Sequence, residues 1–313
     1  MARSAHNFSR LALAVLLALG PTDAPGATPR PAPTPKATPR PKATPRPFTE
    51  MLADGQLELA AGGAIVIDAY TGEVLFEKNP DTSYYPASTT KILTALLVIE
   101  AGNLDQMVEV TAEDARVGES GLSIKPGERY TRRQMLFGLM LKSANDVAHA
   151  LGRDNAGTMP AFAEKMTQRA LELGARHTAF TNPHGLHHVA HFTNPRDLAA
   201  ITRAAMQQPY FREIVTTRAF TWPRPEGDWI VSNHNRLLKE FPGCTGVKTG
   251  FTNPAQQVLA SAALEKGREV IAVVMHTNKP GIWEDSKLLL SYGLKYPPGT
   301  SPTARESRGL GGN

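Results

Sequence analysis

Two pairs of nearly unbroken apolar runs bracket the chain. Residues 62–69 and 73–77, on either side of Thr71-Gly72, read as a β-hairpin, and residues 256–264 and 268–276, around Glu265-Lys266-Gly267, read as a second. Between them the apolar period becomes helical. Residues 92–99 form an apolar helix body, and Met135, Leu136, Leu139 and Met140 make one face of a helix that Thr131 can cap. That helix stops at residues 142–146, and residues 147–151 resume one. Residues 160–173 are amphipathic and end at Gly174, and Asn194-Pro195 starts a helix running to about Met206. Residues 103–131 are loop-rich, with a short strand at 108–110, and Asn182-Pro183-His184-Gly185-Leu186 is a turn. Short strands are predicted at 219–222, 229–232 and 245–250, and a last helix at 282–294. Strands, helices, then strands and a helix imply an α+β fold, a largely antiparallel sheet flanked by helices with a helical lobe.

Composition adds the chain's ends. Of 313 residues, 41% are apolar and 20% charged, enough for a well-filled core. The net charge of +5 is unevenly placed: residues 1–47 hold seven Lys/Arg and one Asp, and the remainder holds 27 Lys/Arg and 28 Asp/Glu. The neutral remainder implies no basic groove and no nucleic-acid partner. Residues 1–27, with Arg3 and Arg10 ahead of or within reach of a short apolar run and small residues at Ala24, Gly26 and Ala27, have the outline of a secretory signal or N-terminal anchor. Residues 28–47 repeat Ala-Thr-Pro-Arg/Lys-Pro and read as an extended, basic, proline-rich linker, either a solvated leash or a contact with an anionic envelope surface. Residues 48–296 are expected to be the catalytic domain and 297–313 a disordered tail. Cys244 is the single cysteine, so no intramolecular disulfide forms.

The candidate chemistry centres on Ser88-Thr89-Thr90-Lys91. A serine and a lysine three apart on a helix share a face. At the helix start, free N–H groups and the dipole favour developing negative charge, and a buried lysine can lose its proton and activate the hydroxyl. The plainer alternative is an N-cap serine beside a surface lysine. Ser143-Ala144-Asn145 falls at a helix break, and Lys248-Thr249-Gly250 falls in a predicted strand where the glycine lets a ligand backbone approach.

An S-x-x-K, S-x-N, K-T-G set in this order resembles the signature of the penicillin-binding proteins and serine β-lactamases. The separations are 55 residues from Ser88 to Ser143 and 105 from Ser143 to Lys248. Residues 135–141, 182–186, 233–238 and 246–252 narrow the resemblance to the low-molecular-mass D-alanyl-D-alanine carboxypeptidases, over roughly residues 55–295. The resemblance implies a transpeptidase-like fold, no cofactor, and two ligands: peptidoglycan stem peptides ending in D-Ala-D-Ala, and β-lactams. It assigns Ser88 as acylated nucleophile, Lys91 as base, and Ser143 as a bridge between Lys91 and Lys248. Asn145 would bind a substrate amide and orient Lys91, and Lys248 and Thr249 would hold the terminal carboxylate. The N–H groups of Ser88 and Phe251 would form the oxyanion hole. Departures are Gln256 and Gln257 after Ala255, where relatives carry Ala-Gly; the bulkier side chains either narrow the cleft floor or, as expected here, face solvent. The usual basic carboxylate partner would fall at His234 or Arg236. A C-terminal β-rich domain and anchor helix are not expected in the 19 residues after Leu294.

Rival readings stay in view. An endopeptidase on cross-linked peptidoglycan would use the same residues. A class A β-lactamase needs an E-x-x-x-N loop, which none of Glu164, Glu172, Glu213, Glu226 and Glu240 supplies. A non-hydrolytic sensor would have no need of all four of Ser88, Lys91, Ser143 and Lys248. The histidines at 177, 184, 187, 188 and 191 read as a polar loop more readily than as a zinc site, having no H-E-x-x-H pattern. Trp222 and Trp229 are candidates for sugar stacking or, more commonly, sheet packing.

Overall fold

A computed structural model describes residues 57–295. The predicted signal (1–27), linker (28–47) and tail (297–313) lie outside the described residues. In chain order the elements are β1 (Gly63–Asp68), β2 (Val74–Lys78), α1 (Lys91–Glu100), β3 (Met107–Glu109), β4 (Arg129–Thr131), α2 (Arg132–Phe137), α3 (Asn145–Ala156) and α4 (Met159–Glu172). They continue with α5 (Pro195–Met206), α6 (Pro209–Thr216), β5 (Ala219–Trp222), β6 (Trp229–Ser232), α7 (Leu237–Glu240), β7 (Cys244–Thr252), β8 (Gln256–Glu265), β9 (Arg268–Thr277) and α8 (Gly281–Lys295).

Both predicted hairpins join one five-stranded antiparallel sheet of order β2-β1-β9-β8-β7. Its central strands are apolar at almost every position because both faces are covered. Val66, Leu259, Val270, Ala272 and Val274 pack with Ile282, Leu289 and Leu290 of α8. Ile65, Ile67, Val258, Ala260, Ile271 and Val273 face the helices on the other side. Alternate residues thus serve two cores. Helix α1 is buried from Lys91 to Val98, which explains why its apolar residues do not keep to one stripe.

Helix α2 starts where the sequence says it should. Thr131 and Gln134 form a reciprocal capping box. The helix then loosens into a π turn over Gly138–Lys142 and ends at Ser143, in left-handed conformation with φ 65°. A non-glycine residue in that region carries backbone strain of roughly 1–3 kcal/mol. Strand β4 and helices α6 and α7 were not predicted, although Pro209 at the start of α6 and buried Phe211, Ile214 and Val215 on its inner face are an ordinary helix signal. Trp222 is fully buried against Tyr130, with ring centroids 4.5 Å apart, so it packs rather than binds. Trp229 instead lies under two cations, Arg224 at 4.1 Å and Lys142 at 5.3 Å.

Strand β7 is an edge strand, and the element along its outer edge is the tight turn Ala87–Thr90 ahead of α1. That contact builds the site.

Candidate active site

Ser88 lies in a 3₁₀ turn, and Lys91 is the first residue of α1. Lys91 Nζ is 3.0 Å from Ser88 Oγ and also donates to Asn145 Oδ1 at 2.7 Å and to the His184 carbonyl at 2.6 Å. The amide of Asn145 is oriented by its own bond from Nδ2 to the Gly118 carbonyl, 3.0 Å. Lys91 has no exposed surface. Burial, and then the charge of Lys248, hold its pKa well below the usual lysine value of 10.5, against an opposing pull from Asp146 and Glu119. A neutral amine 3.0 Å from a hydroxyl can take its proton.

Two glycines clamp the nucleophile turn. A Cβ on Gly250 would sit 2.9 Å from the Ser88 nitrogen and 3.1 Å from the Pro86 carbonyl oxygen. Gly250 thus lies close against the protein's own nucleophile turn while still lining the cleft. A Cβ on Gly185, whose φ is +88°, would lie 1.9 Å from the Ala87 carbonyl oxygen. Gly185 is held by Asn182 Oδ1, which accepts from its N–H at 2.7 Å and from that of His184 at 3.2 Å. The same turn thus aims the His184 carbonyl at Lys91. Thr90 is fixed by the buried His191. The Nδ1 of His191 accepts from the Thr181 N–H at 3.0 Å, which leaves Nε2 to donate to Thr90 Oγ1 at 2.8 Å. His184 and His191 are thus occupied within the fold, and no cluster of three or more metal-ligating side chains occurs among the described residues.

We expect Gly250→Ala to slow acylation by at least about 100-fold, because moving the nucleophile by even about 1 Å carries a cost of that order. Its thermal midpoint should fall much less than that of Gly185→Ala, which meets backbone and positive φ together. Stopped-flow acylation and thermal melts of both variants check this; unchanged acylation in Gly250→Ala would contradict it.

The cleft beside the turn has a volume of about 240 Å³ and is lined by Ser88, Ser120, Ser143, His234, Thr249, Gly250, Phe251, Gln257, Ile282 and Trp283. Ser143 is therefore brought to the nucleophile, but it does not bridge the lysines in this state, since among the described residues its hydroxyl bonds neither of them. Lys248 Nζ donates instead to the Thr249 carbonyl at 2.9 Å. Lys248 is 1% exposed, and burial brings its pKa down to about 7. Of the two candidates for a basic partner, His234 lines the cleft, and burial followed by the nearby charges of Lys248 and Lys142 lowers it to about 4. Arg236 pairs with Glu240 at 2.7 Å and stacks over Trp283, 5.2 Å from the ring centroid. Gln256 is exposed, but Gln257 lines the cleft, contrary to expectation, because it pairs with Phe251 across β7 and β8 and so points to the same side. A roomier hollow of about 700 Å³ lies at the far end of the β8–β9 hairpin, around Pro242 and Leu264, away from Ser88.

A strained turn, a buried lysine on its serine and a second buried lysine on the adjacent edge strand define an active-serine enzyme with lysine in the place of a histidine base. The sequence matches the peptidase S11 family, D-alanyl-D-alanine carboxypeptidase, over residues 50–279, and the chain belongs to that family. It is 33% identical over 243 residues to the D-alanyl-D-alanine carboxypeptidase DacB2 of Mycobacterium tuberculosis, covering 76% of this chain and 83% of that one. Against the D-alanyl-D-alanine carboxypeptidase DacF of Bacillus subtilis it is 34% identical over 233 residues, 72% of this chain and 59% of that one. The crystal structure of a D-alanyl-D-alanine carboxypeptidase from Mycobacterium tuberculosis H37Rv superposes with a TM-score of 0.75 at 33% identity, covering 78% of this chain and 95% of that one.

The sequence did not single out His184, Ser120, Ile282 or Trp283 for the site, and Gln257, weighed for the cleft floor, was expected in solvent. For His184 a signal existed: Asn-Pro-His-Gly is an Asx turn closed by a glycine, which freezes a carbonyl in space. For the cleft wall formed by α8 there was none, because it depends on how the last helix crosses the sheet.

Proposed function

We propose that this protein is an exported serine-type D-alanyl-D-alanine carboxypeptidase that removes the terminal D-alanine from peptidoglycan stem peptides and is acylated by β-lactams on Ser88. The observation that carries the reading is Lys91 Nζ, wholly buried, shared among Ser88 Oγ, Asn145 Oδ1 and the His184 carbonyl. Export rests on residues 1–27, and N-terminal sequencing of protein from the cell envelope tests it, with uncut protein confined to the cytoplasm as the contrary result.

In this account the substrate lies along the outer edge of β7, beside the Ala87–Thr90 turn, as an added strand. Lys91 takes the Ser88 proton as Oγ attacks the carbonyl carbon of the penultimate D-alanine. The oxyanion is met by the N–H groups of Ser88 and Phe251, where one such donor is worth about 2.7–4 kcal/mol. The C–N bond breaks as the proton taken by Lys91 is relayed through the Ser143 hydroxyl to the departing amine, which leaves Lys91 neutral to deprotonate the water that hydrolyses the ester and then to return that proton to Ser88 Oγ. Lys248 and Thr249 hold the terminal carboxylate. The pKa of His234 is lowered to about 4 and Arg236 is committed to Glu240 and Trp283, so the cation assigned to the carboxylate is Lys248, buried next to Thr249 on β7 with its Nζ on the Thr249 carbonyl.

The alternative, an endopeptidase, must seat a second stem peptide on the leaving side. Gln257 stands within a cleft of about 240 Å³, which favours the smaller leaving group.

A pH dependence follows from the two lysines. With a peptide ending in a free carboxylate, kcat/KM should rise as Lys91 loses its proton and fall above about 7 as Lys248 in the empty enzyme loses its own. The same donor carrying a neutral ester leaving group should show the rise without the fall. Matching alkaline limbs for the two substrates would contradict the assignment of Lys248.

A further inference from the structure

The side chains of Phe251, Ile282 and Trp283 on one wall of the cleft have no part in this chemistry. Along β7, Thr249 and Phe251 alternate with Lys248 and Gly250 and so face the other side of the strand. Their cross-strand partners are Leu259 and Gln257, and Leu259 packs in the same apolar cluster as Ile282 of α8. Thr249, Phe251, Gln257, Ile282 and Trp283 therefore share one side of the cleft, the side covered by the start of α8.

Beside the polar Thr249 and Gln257, Phe251, Ile282 and Trp283 give that side an apolar portion that is fixed in place. Phe251 leaves 53% of its surface exposed in the cleft that holds the nucleophile and has no partner ring among the described residues. Ile282 is 1% exposed and forms a closed floor. Trp283 is held by the Arg236 guanidinium above its ring, Arg236 by Glu240 at 2.7 Å, and Glu240 by Lys287 at 2.7 Å. The two cations and the carboxylate are engaged with one another and with the indole, so they hold Trp283 without adding a free charge to the wall.

We infer that Phe251, Ile282 and Trp283 receive the side chain of the residue that leaves, so that the enzyme releases C-terminal D-amino acids with large apolar side chains as well as D-alanine. The inference rests on the carboxypeptidase reading, in which Thr249 holds the carboxylate of the leaving residue. A group whose carboxylate sits on Thr249 carries its side chain within a few ångströms of that carboxylate, next to this shelf. A methyl group covers little of it, whereas a leucine or phenylalanine side chain removes Phe251 and Trp283 from water. Each added methylene in an apolar pocket changes discrimination by roughly 10–200-fold. The chemical step is unchanged: the same C–N bond breaks, and the amine leaves protonated whatever its side chain.

The test uses one acyl donor, a synthetic stem peptide ending in D-Ala-X, with X as D-alanine, D-leucine or D-phenylalanine, and follows the released amino acid by chromatography. Fluorescent penicillin counts the active enzyme, so that rates refer to folded protein only. The full chain should release D-leucine and D-phenylalanine with kcat/KM at least equal to that for D-alanine. Trp283→Ala should lower the D-phenylalanine to D-alanine ratio tenfold or more. Phe251→Ala, which loses a half-exposed side chain and keeps the fold, should move the ratio the same way. A tenfold preference for D-alanine in the parent, or an unmoved ratio in both variants, would overturn the inference while leaving the carboxypeptidase reading intact. Release of nothing from any of the three would overturn both.

Discussion

Ser88→Ala should abolish covalent labelling by a fluorescent penicillin and lower D-alanine release on the order of 10⁶-fold, the loss that follows removal of the nucleophile from an active-serine enzyme. The cleft offers other hydroxyls, on Ser120, Ser143 and Thr249. Only Ser88 combines a buried amine at 3.0 Å with a turn wedged against the edge of a strand. Ser120 already donates its hydroxyl to the Lys142 carbonyl at 3.0 Å. Residual labelling mapped by mass spectrometry to Ser143 or Thr249 would contradict the assignment. The substitution removes one half-buried hydroxyl, so the thermal midpoint should hardly move.

Lys91→Met should be as inactive as Ser88→Ala and yet gain stability. The catalytic losses are not additive, because the serine without its base and the base without its serine are equally idle, so the double variant should be no worse than either single one. Stability runs the other way because a lysine with no exposed surface is held for function at a cost in desolvation. The sign follows from linkage. Its pKa is lowered in the folded state, so between that value and the unfolded value of about 10.4 the unfolded chain binds more protons, and parent stability rises with pH. The gain from Lys91→Met should therefore be largest on the acid side and shrink as pH rises toward 10. Denaturant melts across this range read it directly, and a variant less stable than the parent at every pH would show that Lys91 serves the fold.

Much of this was readable before any coordinates. The paired apolar runs at 62–77 and 256–276 predicted four of the five strands of the sheet, because hairpin strands and their turns are local. The break before Ser143 was visible as an interruption of the helical period, but not its form, a π turn ending in a left-handed serine. Contacts between distant segments were not readable. Lys91 meets Asn145, 54 residues on, and His184, 93 residues on, and no periodicity encodes that meeting. Spacing and local pattern marked Ser88 with Lys91, Ser143 with Asn145, and Lys248 as candidates, but their separate roles came only through resemblance to a family. Gly250 was marked for the approach of a ligand backbone; its contact with the nucleophile turn, more than 150 residues away in the chain, was not readable. Gln256 and Gln257 were treated together and expected in solvent, although successive residues on a strand point to opposite faces and only Gln257 lines the cleft.

The carboxypeptidase reading is tested most directly by offering the purified protein pentapeptide stem monomers and cross-linked stem dimers in separate reactions and following the products by chromatography. The account predicts free D-alanine from the pentapeptide, released faster than monomers from the dimer and lost entirely in Ser88→Ala. Monomers appearing from the dimer faster than D-alanine appears from the pentapeptide would contradict it.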